Sequence, residues 1–195
     1  MDGLINKIRE YVIKKSDEYK DNSLDNYDFW NEHIKYVYYE AVILAKKYGA
    51  DLDIVKLGAL LHDIALIENV GERSDHHING KVLSDKILDK YGCSSEVKEK
   101  VLGCILNHRS SKNATNNEEL CVCDADILAH FDNIPMLFNL AFNRNKLSLN
   151  EVRNWIDESL LKDYNDLSDR CKKYFFEKYN LIREVVLKDI DYMYM

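Results

Sequence analysis

One proline, Pro135, and seven glycines punctuate a chain of 195 residues. Proline and glycine end helices and shape the turns between strands, so a chain poor in both lacks the means to build many short strands. Long helices are the expected outcome. Hydrophobic residues make up 46% of the chain, enough to fold around a core, and the length suits one domain.

Apolar periodicity agrees. Leu4, Ile5, Ile8, Tyr11 and Val12 recur at helical spacing, which predicts a first helix to about Tyr19, broken at Asp21-Asn22-Ser23. A second is expected from about Tyr27 to Tyr48, with Ile34, Val37, Tyr38, Ala41 and Leu44 on one face and Gly49 at its end. Asp51 or Asp53 is expected to cap a third helix running through Ile67. Glu68 to Asp75 is polar and glycine-bearing and reads as a loop. A fourth helix is expected from His76 to Tyr91, closed by Gly92, and a fifth from Ser94 or Ser95 to about His108. Ser110 to Asn117 reads as an exposed loop before a sixth helix from Leu120 to about Phe131.

Ser148-Leu149-Asn150-Glu151 is a capping box that opens a further helix. Beyond it Trp155, Leu160, Leu161, Tyr164, Leu167, Phe175, Leu181, Ile182 and Val186 are the expected core, and Tyr174, Tyr179, Tyr192 and Tyr194 are expected to pack on it, with a pocket lining or a dimer face as the alternatives. With no repeat, linker or low-complexity segment, residues 1–195 read as a single all-α domain.

A net charge of -7 argues against a broad nucleic-acid or anionic-membrane surface, while leaving room for a small basic pocket. No apolar run approaches the roughly eighteen residues that span a bilayer. Met1 to Lys7 opens an amphipathic segment, not a signal peptide. The five cysteines, Cys93, Cys104, Cys121, Cys123 and Cys171, are odd in number and scattered, as expected of reduced thiols in a cytoplasmic protein. Cys121-Val122-Cys123 has no second cysteine pair and reads as alternation within a helix.

The chemistry concentrates elsewhere. His62-Asp63 closes the apolar run Leu57-Gly58-Ala59-Leu60-Leu61. Apolar runs exclude such groups because burying them unpaired is costly. A metal ion resolves both, taking nitrogen from one and oxygen from the other while cancelling the carboxylate charge. Asp124 and Asp126, in the apolar stretch Cys123 to Leu128, raise the same question. Of the remaining histidines, His33 lies on the second predicted helix, His76 and His77 start the fourth, His108 ends the fifth, and His130 lies on the sixth. His77 and His130 are read as structural.

The order His33, His62-Asp63, Asp126 resembles the HD-domain superfamily of metal-dependent phosphohydrolases. The likeness extends to the surroundings: Ile34, Val37 and Ala41 after the first histidine, Leu60-Leu61-His62-Asp63-Ile64, and Asp124-Ala125-Asp126-Ile127-Leu128, in which the second aspartate is the ligand. It covers about residues 27–145, leaving a C-terminal helical extension over about 146–195. The resemblance implies an all-α HD-domain bundle holding a divalent transition metal. His76-His77-Ile78-Asn79-Gly80 and Leu106-Asn107-His108-Arg109 resemble additions found in a two-metal subset. Spacing to Gly80 favours His76 over His77, so the implied set is His33, His62, Asp63, His76, His108 and Asp126, with Asp63 bridging. Asp124 is expected to orient a ligating histidine or hold a helix end.

By the same resemblance, His62 and Asp63 are the expected catalytic pair, presenting metal-bound hydroxide to a phosphoester or phosphoanhydride of a small phosphorylated metabolite such as a nucleotide. Mixed histidine and carboxylate donors suit Mn, Fe, Co, Ni or Zn, as one ion or two. Arg73 and Arg109 are the expected phosphate-binding cations, ahead of Lys112 and Arg144. Substrate specificity is expected to come from Glu68 to Ser74, from Ser110 to Asn117 and from helices after Asp126. Leu66 and Ile67 stand where the family's alarmone hydrolases carry Glu-Asp, and the lysine and Gly-Tyr-Pro of its cyclic-dinucleotide branch are missing. Both substrate classes are therefore disfavoured. Two other outcomes remain open: a di-iron oxygenase built on the same six ligands, and a regulatory module that holds metal or ligand without turnover.

Overall fold

A computed structural model describes residues 1–186, and every regular element among them is helical. Tyr192 and Tyr194 lie outside the described residues, as does the side chain of Val186. Helix α1 spans Asp2–Asn22. A π turn, Trp30–Ile34, leads directly into α2, Lys35–Tyr48, so the second helix starts later than its apolar pattern predicts. Gly49 ends α2 with φ +69°. Asp51 caps α3, Leu52–Leu61, by accepting from the main-chain N–H of Asp53 and Ile54.

The predicted third helix does not run unbroken to Ile67. It stops at His62-Asp63 and resumes as α4, Ile64–Ile67. A short 3-10 turn, Arg73–Asp75, precedes α5, His76–Lys90, and then α6, Ser95–Asn107, which follows Ser94. Helix α7, Asn117–Asp132, begins three residues earlier than predicted because Asn116 caps it, accepting from the N–H of Glu119. Apolar spacing predicts no element directly after Phe131. That stretch holds α8, Ile134–Asn139, and a second π turn, Leu140–Arg144. The predicted capping box opens α9, Leu149–Asp166: Glu151 accepts from both the N–H and the hydroxyl of Ser148. Helix α10 spans Asp169–Val186.

Helices α2 and α7 form the most extensive pairing, and α3 lies against both. Helix α6 closes the other side of α3 and α7, and α5 packs on α6 and α4. Leu57, Leu60, Leu61, Ile105 and Leu128 are fully enclosed where these helices meet. Gly80 lets α5 lie close to α6, since a β-carbon there would sit 3.3 Å from Cγ2 of Ile105. Helices α9 and α10 cover α7. Leu160 and Leu167 are buried as expected, and Trp155, Tyr164, Phe175 and Ile182 are half-buried. Leu161 and Leu181 are exposed, contrary to expectation, because they lie on the outer faces of α9 and α10. Tyr179 is buried and Tyr174 is exposed. Cys121 and Cys123 are both buried within α7, and all five cysteines are free thiols.

Candidate metal centre

Three histidines repeat one local device at helix ends. His62, just after α3, places Nδ1 2.9 Å from the carbonyl of Ala59. His108, just after α6, does the same to Ile105 at 2.6 Å, and His76, at the start of α5, to Arg73 at 2.8 Å. Each ring folds back on the carbonyl three residues earlier. A carbonyl only accepts, so each Nδ1 carries the ring proton and each Nε2 keeps a lone pair. Metal-binding histidines are oriented in this way.

The Nε2 atoms converge. Nε2 of His62 lies 3.1 Å from Nε2 of His33, and Nε2 of His76 lies 2.9 Å from Nε2 of His108. Asp63 stands between the two histidine pairs. Its Oδ2 is 3.5 Å from His33 Nε2 and 3.7 Å from His62 Nε2, while its Oδ1 is 3.3 Å from His76 Nε2 and 3.8 Å from His108 Nε2. Asp126, from α7, adds Oδ1 at 3.1 Å from His33 and 3.5 Å from His62. That oxygen is buried and makes no hydrogen bond.

This donor set fits divalent cations. Ligand atoms at right angles around an ion bound at about 2.1 Å lie about 3 Å apart, close to the spacing of both histidine pairs. A buried carboxylate oxygen without a hydrogen bond, beside converging ring nitrogens, is costly unless positive charge sits among them. His33, His62 and Asp63 form one group able to hold a metal, and Asp63, His76 and His108 form another.

Electrostatics follow the same division. Burial opposes protonation of His33, but Asp126 and Asp63 outweigh it and hold its pKa up at about 9. Burial and the neighbouring His62 push His108 down to about 4. Asp63 and Asp126 stay well below the usual carboxylate range despite burial, held there by His62 and His33.

The structure brings all six predicted ligands together. Arg73 and Arg109 line the same cavity of about 140 Å³. Arg109 donates to the carbonyl of Ser74 at 2.8 Å. Lys112 does not line this cavity, and Arg144 is held by Asp25 Oδ2 at 2.7 Å. No residue of the 110–117 loop lines it either, whereas Leu66 and Arg73 do. Glu68 points away and accepts from the hydroxyl of Tyr11.

Three polar residues of the lining are not among the expected site residues. His130, read as structural, stacks on His33 with ring centroids 5.4 Å apart. Its Nδ1 lies 2.8 Å from Oδ2 of Asp163, and Asp163 and Lys162 reach the cavity from α9. The helical position of His130, one turn beyond Asp126, was the available signal. Nothing in the sequence pointed to α9.

The HD domain family model matches residues 31–130. No curated protein matches the chain in sequence. Among solved structures, Bacillus subtilis YpgQ in complex with ADP superposes with a TM-score of 0.70 at 20% identity, over 94% of this chain and 92% of that one. A predicted HD superfamily hydrolase from an uncultured Thermotogales bacterium gives 0.64 at 19% identity, over 93% and 88%. An HD-superfamily hydrolase from Bacillus thuringiensis gives 0.65 at 20% identity, over 93% and 94%. At this identity the likeness is one of fold.

Proposed function

Since the chain belongs to the HD-domain family, we propose that it is a metal-dependent phosphohydrolase that cleaves a phosphoester or phosphoanhydride of a small phosphorylated metabolite, a nucleotide in the first instance. One observation carries the reading: the two oxygens of Asp63 face two separate histidine pairs, within a cavity that also presents two arginines. The ADP bound to YpgQ supports a nucleotide as substrate. Domain HD proteins bind divalent metals, and the mixed donors favour Mn, Fe, Co, Ni or Zn.

His33, His62, Asp63 and Asp126 would hold one ion, and Asp63, His76 and His108 a second. When bound, such ions acidify water and draw charge from a phosphoryl group. The protein's own groups do the rest. Main-chain carbonyls of Ala59, Arg73 and Ile105 fix the imidazoles. Arg73 and Arg109 meet the phosphate oxygens and offset charge as the bond to phosphorus breaks. Lys162 and Asp163 make α9 part of the cavity wall, which supports treating the described residues, 1–186, as one domain.

No described helix is long and apolar enough to cross a membrane. All five cysteines are free thiols.

The test is phosphate release from nucleotides and small phosphoesters with Mn, Co, Ni, Fe or Mg, comparing the wild type with Asp63→Ala. Metal-dependent release that vanishes in the variant is expected. Absence of release from every compound overturns the reading; paired iron with oxygen uptake would replace it with an oxygenase.

A further inference from the structure

We propose that the groove leading from Arg73 to Tyr19 and Phe29 is the subsite for the planar base of a nucleoside phosphate. The assignment rests on the phosphohydrolase reading and adds the place where the organic half of the substrate is held.

Three cavities meet at Arg73. The first is the metal-lined one. The second, about 40 Å³, is bounded by His33 and Asp63 on one side and by Tyr27, Phe29 and Arg144 on the other. The third, about 200 Å³, is walled by Tyr19, Phe29, Leu66, Asn69 and Arg144. Arg73 lines all three, and its guanidinium forms no ion pair among the described residues. A single ligand can therefore set its phosphate on the metal side of Arg73 and run past it into the third cavity.

The chemistry of that cavity selects the occupant. The rings of Tyr19 and Phe29 meet edge to face, with centroids 4.9 Å apart and planes at 83°. With Leu66 they give an apolar wall suited to a flat ring. Arg144 is fixed by Asp25 Oδ2, 3.0 Å from Nε and 2.7 Å from Nη2, and by the Tyr19 hydroxyl at 3.1 Å. Its charge is already compensated, so it offers a planar face for stacking and not a second phosphate site. Asn69 brings an amide able to donate and to accept. An apolar wall with a neutralised guanidinium and one amide matches a heterocyclic base. A bare sugar phosphate would leave that wall in water.

Titration calorimetry on the Mn-loaded full chain tests this with two probes that cannot be hydrolysed: the methylenephosphonate isosteres of AMP and of ribose 5-phosphate. The AMP isostere is expected to bind at least fivefold more tightly. Leu66→Trp, which fills the groove, and Tyr19→Ala, which opens its wall, should each reduce that preference at least threefold. Thermal melting confirms that the variants are folded. A preference below fivefold, or one undiminished in both folded variants, overturns the subsite. Phosphate release from p-nitrophenyl phosphate by the wild type is scored separately. Release without a base preference overturns the subsite alone. A base preference without release from any compound overturns the hydrolase reading and keeps the subsite.

Discussion

Asp124 and Asp126, two residues apart on α7, are satisfied in opposite ways. Asp124 is fully buried and accepts from the N–H of Ser168 at 2.9 Å, its hydroxyl at 2.6 Å and the thiol of Cys171 at 3.2 Å, so it holds the start of α10. Asp126 leaves its buried Oδ1 without a hydrogen-bond partner, 3.1 Å from Nε2 of His33. The first carboxylate is satisfied by the protein, and the second faces the candidate metal site.

Their asparagine variants should therefore separate. Asp124→Asn removes charge-assisted hydrogen bonds to the α10 terminus and should cost about 2–3 kcal/mol, seen as a Tm lower by about 5–10 °C, with metal stoichiometry unchanged. Asp126→Asn should leave the metal-free Tm within a few degrees and lower metal affinity at least tenfold. Thermal melting and metal analysis by mass spectrometry read both. The reverse pattern would exchange the two roles.

The shared position of Asp63 sets a second expectation. Asp63→Ala removes an oxygen from both groups of donors and should abolish metal-dependent phosphate release. His76→Ala touches only the group completed by His108 and should lower bound metal from two ions to one. A stoichiometry unchanged in His76→Ala would remove this histidine from the ligand set.

Proton and metal compete for His33. In the metal-free protein its pKa stands at about 9, above the ordinary 6.5. Its contribution to stability is thus fully present below pH 6.5 and is lost as pH rises through 9. Metal binding displaces that proton, so affinity should rise by up to about tenfold per pH unit over the same window. Melting curves with and without Mn, from pH 6.5 to 9, should show the metal-induced stabilisation growing with pH. A constant shift across the range would mean His33 is unprotonated throughout.

Close packing behind the site gives a fourth expectation. A β-carbon on Gly58 would lie 2.8 Å from Cβ of Cys104 and 3.1 Å from Cγ2 of Val122. Both neighbours are fixed on buried helices, and alanine's better helix propensity does not offset the overlap. Gly58→Ala should lower stability by about 1–3 kcal/mol, measured by urea unfolding.

The helices were legible because their signals are local. Scarce proline and glycine, apolar spacing and the Ser148/Glu151 box each act within a few residues. The break of α3 at His62-Asp63 was not, since it depends on a ring bonding the Ala59 carbonyl instead of continuing the helix. Leu161 and Leu181 were misassigned because hydrophobicity does not say which face meets a neighbour.

From the sequence came the ordered series His33, His62-Asp63, His76, His108 and Asp126, because side chains this costly to bury stand out against apolar helices. Tertiary structure alone decided how they are shared. It turned each oxygen of Asp63 to a different histidine pair, set His130 against His33, brought Lys162 and Asp163 across from α9, and placed Leu66 and not the 110–117 loop on the cavity. These outcomes depend on how helices distant in the chain pack together. No local pattern encodes them, because the contact energies that fix them exist only once the core has closed.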